Sequence, residues 1–151
     1  GLKGSAEDLQ TRAGVLHYLF QKDVDLFSAV SVSVTQGRVL LTGKVRGPKD
    51  RINATKLAWK ANGVAEVINE LQIIDRSSIV DQAKDILINK SVQARLLVNQ
   101  EIKFINYNVD TVNGTVYLFG IAQNHEELER VIAVVRQTNY VENIVNYVTI
   151  K

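Results

Sequence analysis

Two histidines and no cysteine are all that this chain of 151 residues offers in nitrogen and sulfur ligands, which narrows its possible chemistry at once. Without cysteine there is no disulfide framework, no thiol nucleophile and no Cys-based zinc site. His125 and Glu129 stand one helical turn apart, but the His-Glu-x-x-His zinc pattern fails because Glu129 occupies the place of the second ligand. His125 therefore reads as part of a solvated helix start, where the acids Glu126 and Glu127 suit the positive end of the helix dipole. His17 lies at an unrelated position. Asn108-Val109-Asp110 opens like a calcium loop, yet Thr111 takes the place of the required glycine and the distal glutamate is missing. There is no phosphate-cradling glycine loop, no dinucleotide fingerprint and no nucleophile elbow. The expectation is a protein that is not an enzyme, with no cofactor and no metal site.

The elements that carry these residues repeat. Gln36-Gly37-Arg38-Val39-Leu40-Leu41-Thr42-Gly43 lies over Asn113-Gly114-Thr115-Val116-Tyr117-Leu118-Phe119-Gly120, and one constant offset, Gly37 to Gly114, also pairs Val15 with Val92, Leu19 with Leu96, Phe27 with Phe104, Asn69 with Asn146 and Ile73 with Ile150. Within each copy, apolar residues at three- and four-residue spacing predict a first helix over about 6–21 and 81–99. Alternating runs at 30–35 and 38–45, and at 107–112 and 115–122, predict hairpins turned at Gln36-Gly37 and Asn113-Gly114. A second helix opens at Pro48 after Gly47 in one copy, and at Asn124 with Glu127 in capping-box spacing in the other. A last strand follows near 65–74 and 142–150. The order is α-β-β-α-β twice: an α/β (α+β) two-layer sandwich in two tandem modules, 1–76 and 77–151, each a three-stranded mixed sheet covered by two helices.

Bulk numbers agree with packed domains. The chain is 46% hydrophobic, and no run approaches the roughly 20 apolar residues of a membrane span. There are 11 basic and 8 acidic residues up to Arg76 against 7 and 8 from Ser77 onward, so the basic half suits an anionic surface, while a total of +2 gives no reason to expect nucleic acid as a partner.

With the order and these residues in hand, each copy resembles a BON domain, whose pattern runs V-x-V, G-x-V-x-L-x-G, a helix, then G-V-x-x-V-x-N-x-L. The first copy supplies Val32, Gly37 to Gly43, Gly63-Val64, Val67, Asn69 and Leu71. The second supplies Val109, Gly114 to Gly120, Val141, Ile144, Asn146 and Val148, with Tyr140 where the family has glycine, a departure expected to loosen the bend before the last strand. The resemblance implies a tandem BON protein of the bacterial periplasm, associated with the outer membrane through a lipid anchor upstream of residue 1. It further implies phospholipid binding, support of envelope integrity under stress, and no catalytic residues.

Three surfaces are candidates for contact. The first is the helix opening the second copy, where Ile79, Val80, Ile86 and Leu87 exceed what a small sandwich needs and Lys84, Lys90 and Arg95 can meet anionic phospholipid headgroups. The second is a basic group, Arg38, Lys44 and Arg46 on a first-copy sheet face expected to be open and polar, with Lys49 and Arg51 at the start of the helix that follows. The third comprises Tyr117, Phe119 and Ile121, large apolar groups on a strand face where water is expected, with Trp59 off the inner stripe of its helix; these are expected to pack against the other copy or, if open, to meet a partner protein or a lipid surface. The leading expectation is a non-catalytic envelope protein docked on anionic membrane. The alternative is a protein-interaction module of the envelope that uses the third surface or a sheet edge and binds no lipid.

Overall fold

The computed structural model describes every residue except Gly1, Asp75 and Ser77, and every side chain except those of these three and of Leu2 and Lys3. The chain divides into two compact units, Gly1–Arg76 and Ser77–Lys151. The first contains α1 (Leu2–Lys22), α2 (Val24–Ala29), β1 (Val30–Thr35), β2 (Arg38–Val45), α3 (Pro48–Trp59), β3 (Glu66–Asn69) and β4 (Gln72–Ile73). The second contains α4 (Ile79–Val98), a single 3-10 turn (Phe104–Asn106), β5 (Tyr107–Val112), β6 (Thr115–Ala122), α5 (His125–Arg136) and β7 (Asn143–Ile150). In both, the middle strand pairs antiparallel with its hairpin partner and parallel with the last strand, a mixed sheet.

Each sheet lays one face against two helices. In the first unit Val15 and Leu19 of α1 and Ala54 and Ala58 of α3 meet Val39, Leu41 and Val45 of β2; in the second Val92 and Leu96 meet Val131, Val135, Val116, Leu118 and Ala122 at the shifted positions. The same residue positions thus build both cores. The hairpin strands and both helix caps stand where the pattern places them. Pro48 is the first residue of α3, and the Asn124 side chain accepts the Glu127 N–H at 2.8 Å. The reciprocal capping bond differs: the Glu127 carboxylate takes the N–H of Gln123 at 3.2 Å, one residue before the cap.

The additions to the pattern have local causes. α2 forms because Asp23 caps it, accepting the Asp25 N–H at 2.9 Å, and Leu26 turns into the core. In the second unit Asn99 accepts the Glu101 N–H at 2.9 Å instead, and only the 3-10 turn follows. The last strand of the first unit is interrupted at Glu70–Leu71, where Asn69 Oδ1 accepts the Leu71 N–H at 3.0 Å.

Both hairpins turn with two left-handed residues, Gln36 and Gly37 at φ 53° and 77° and Asn113 and Gly114 at φ 50° and 78°, the geometry of a type I′ turn. That geometry aims two amide N–H groups the same way. An aspartate from the first helix of each unit accepts both: Asp8 from Gln36 and Gly37 at 2.9 and 3.1 Å, Asp85 from Asn113 and Gly114 at 2.8 and 2.9 Å. The bend before the last strand is kept in both units, because Tyr140 takes φ 73° where Gly63 takes φ 86°. The expected loosening does not occur; a side chain is instead held in the left-handed region at a cost of about 1 kcal/mol.

Candidate functional site

α4 buries Asp85, Ile88, Val92 and Leu96, residues recurring every three or four positions and so lying on one side of the helix. The opposite side of an ordinary surface helix is polar. Here it carries Ile79 at 84% exposed and Val98 at 77%, with Val80, Ile86, Leu87 and Leu97 also exposed, and Ala83 and Ala94 between them. The stripe runs the whole helix, about 30 Å for 20 residues. Beyond its end Ile105 of the 3-10 turn is also exposed. The corresponding helix α1 shows only Leu9 and Phe20 as exposed large apolar residues among those described, so the feature belongs to the second unit rather than to the repeat.

Lys90 stands within this stripe, and Lys84 and Arg95 lie along one border of it. The Lys84 ammonium sits 5.5 Å from the centre of the Tyr140 ring, and an Arg95 guanidinium nitrogen donates to Thr138 Oγ1 at 3.2 Å. Both cations are thereby steered toward the segment before β7 while remaining exposed. Ile79, Val80, Lys84, Ile86, Leu87, Lys90 and Arg95 are all exposed. Leu97 and Val98 extend the same stripe. Leu97 was findable from the pattern, since it repeats the angular position of Ile79 five turns on. Ile105 follows no periodicity and had no such signal.

The other two candidate surfaces change. Tyr117 and Phe119 are 3% and 0% exposed, and Ile121 is half-buried, so of the two readings of this face the open one does not hold. In the first unit Leu40 and Thr42 are buried in the middle of the face read as open and basic. Arg38 on that face pairs with Glu66 at 3.1 Å and Lys44 is half-buried, whereas Arg46, Lys49 and Arg51 are exposed. Alternation gives the side of a strand on which a residue stands, and burial of that side is decided by what packs over it. Trp59 is half-exposed. A cleft of about 840 Å3 in the first unit is lined by Glu7, Asp8, His17 and Gly63, but the Asp8 carboxylate in it already serves the hairpin turn.

One ionisable group is placed against expectation. Glu127, read as solvated, is 2% exposed and accepts hydrogen bonds from the Tyr107 hydroxyl, the Gln123 N–H and side-chain amide, and the Lys103 N–H. Burial pushes its carboxyl up, but the donors together outweigh burial and hold it below its usual value of 4.5. Burial and then the adjacent carboxylate push the Tyr107 phenol well above its ordinary range. A carboxyl lowered on folding contributes stability above its unfolded value and loses it as pH falls through the folded one. The denaturation midpoint of the second unit is accordingly expected to fall as pH drops below about 4.5, and Glu127→Gln to flatten that dependence while lowering the midpoint at neutral pH. Urea titrations at pH 3.5, 5 and 7 check this, and equal pH slopes in parent and variant would reject it.

The BON-domain profile matches residues 17–75 and 84–151, the greater part of the chain. This chain belongs to the BON-domain family. Its relatives include a protein of Anaplasma centrale described as an uncharacterised protein in the gshII 5′ region, 40% identical over 134 residues, which cover 88% of this chain and 87% of that one. A 21 kDa hemolysin of Actinobacillus pleuropneumoniae is 30% identical over 87% of this chain and 70% of its own length. The outer membrane lipoprotein DolP of Haemophilus influenzae is 30% identical over 78% of this chain, and the match spans 62% of that lipoprotein. In the present BON protein, no helix among the described residues is long and apolar enough to cross a membrane.

Proposed function

We propose that this protein is a non-catalytic periplasmic BON protein that docks on anionic phospholipid through the outer face of α4 and supports envelope integrity under stress. The observation that carries the reading is the helix itself: one face in the core, the opposite face apolar and exposed along its length, with Lys84, Lys90 and Arg95 in and beside it. A helix lying in the membrane interface needs apolar groups below and cations at headgroup level. The compartment is supported by a relative described as an outer membrane lipoprotein in Haemophilus influenzae, and the stress role by one described as an osmotically inducible protein in Escherichia coli. An interfacial helix alone binds weakly, so a lipid anchor upstream of residue 1 would supply the second attachment.

Vesicle co-sedimentation on neutral and phosphatidylglycerol-rich liposomes tests it. Binding is expected on the anionic vesicles, weakened at high salt. With about 1 kcal/mol per surface cation, the Lys84/Lys90/Arg95→Glu variant is expected to bind roughly 100-fold more weakly, its fold verified by circular dichroism. Equal binding to neutral vesicles, or none to either, would remove this reading. The alternative, a protein-interaction module of the envelope, would rest on a sheet edge, since Tyr117 and Phe119 are buried.

A further inference from the structure

β7 ends its sheet. Its partner on one side is β6, and no described strand pairs with its other edge. Asn143 and Lys151 donate to Gly114 and Ala122, so the odd-numbered residues bond toward β6 and the backbone groups of Ile144, Asn146, Val148 and Ile150 point outward. Proteins blunt such an edge with charge, proline or interruption. β7 has none of these over Asn143-Ile144-Val145-Asn146-Tyr147-Val148-Thr149-Ile150. Its one protection is the Asn146 side chain, which accepts the Val148 N–H at 2.9 Å.

The first unit shows the protected version. There the strand is interrupted and carries Glu66 and Glu70. The Asn69 amide also reaches α3, donating to the Arg51 carbonyl and Thr55 Oγ1 at 2.8 and 2.7 Å, which places residues 51 and 55 beside the strand's outer edge. The matching residues of α5 are Leu128 and Ile132, half-buried and apolar, and Ile132 offers no acceptor. The second unit has exchanged a closed polar edge for an open apolar one.

We infer that β7 is a self-association edge, pairing antiparallel with β7 of a second copy of this chain. The strand suits its own reverse: it is uncharged, and Glu142 before it and Lys151 after it bring acidic end to basic end in antiparallel pairing but like to like in parallel. Leu128 and Ile132 then face their own copies across the axis. Antiparallel pairing of two like edges runs about a twofold axis perpendicular to the sheet, so the helical layers of both copies lie on one side. Both α4 outer faces consequently point the same way, and two weak membrane contacts become one bivalent contact. The pairing itself does not depend on lipid binding.

Sedimentation velocity on the chain without vesicles, from roughly 10 to 500 μM to bracket a micromolar Kd, tests this. The expected result is a reversible rise from one chain to two. Asn146→Lys puts like charges on the facing edges, and Asn146→Pro removes an outward donor together with the side-chain acceptor of the Val148 N–H; each is expected to keep the mass at one chain throughout. A parent that stays monomeric overturns the inference and leaves the edge to an extended segment of another protein. A dimer that persists in both folded variants, or a mass that climbs past two chains, overturns it as well.

Discussion

Gly120→Ala is expected to destabilise the second unit by about 3 kcal/mol or more, a large share of the stability of a unit this small. Gly120 has φ 128°, a conformation that side chains rarely adopt, and a Cβ there would stand 2.1 Å from the Asn106 carbonyl oxygen and 3.0 Å from the Tyr107 Cα. Both obstructing atoms are backbone, and Tyr107 is the strand partner of Gly120, so relief requires opening the β5–β6 hairpin at that end. The first unit repeats the constraint at Gly43, with φ 135° and the Ala29 carbonyl oxygen 2.0 Å from the missing Cβ, and Gly43→Ala is expected to do comparable damage there. Gly47 is the control, since a Cβ there meets nothing within 4 Å. Urea denaturation followed by far-UV circular dichroism, with amide exchange of β5 and β6, gives the readout. A Gly120→Ala variant within 1 kcal/mol of the parent would show that the close approach is not what keeps this position glycine. The same geometry accounts for the second glycine of the family pattern, where a carbonyl at the start of the hairpin passes over the middle strand.

The next largest effect is expected at Asp85. Its carboxylate takes two amide N–H groups of a turn whose conformation leaves both aimed at α4, and it does so in a buried place. Asp85→Ala leaves two part-buried donors without acceptors, for a loss of about 2–4 kcal/mol at about 1–2 kcal/mol for each unsatisfied donor. Asp85→Asn keeps one acceptor oxygen and is expected to lose about half as much. Asp8→Ala, at the same place in the first unit but with its bond from Gln36 exposed, is expected to lose only about 1 kcal/mol. Thermal and urea unfolding of the three variants rank the effects, and a loss at Asp8 equal to that at Asp85 would reject burial as the reason for the difference.

Such pairs show how the repeat and the surface part company. The positions that tie helix to hairpin are kept in both units, as Asp8 with Asp85 and Gly43 with Gly120. Positions facing outward on the first helix have diverged: Glu7 against Lys84, Gln10 against Leu87, Gln21 against Val98; beside the last strand, Thr55 stands against Ile132. The functional proposals rest on this second set, where one unit presents apolar groups and the other does not.

By itself the sequence determined the element order, the hairpins and turns, the helix caps and the two cores, because each is set locally by period, by positive φ at Gly37 and Gly114, and by the chemistry of Pro48 and Asn124. It also determined the exposed helix face from Ile79 to Leu87, since a helix with four residues inward must turn the others out. Tertiary structure decided what periodicity cannot see. It buried Tyr117, Phe119, Leu40 and Thr42 on strand faces that alternation alone sends to water. It drew Glu127 from the helix surface under Tyr107, because the donors that offset its burial come from residues up to 24 positions away. It also left one edge of β7 without a partner strand among the described residues, a property of where a sheet ends, which no residue in the strand encodes.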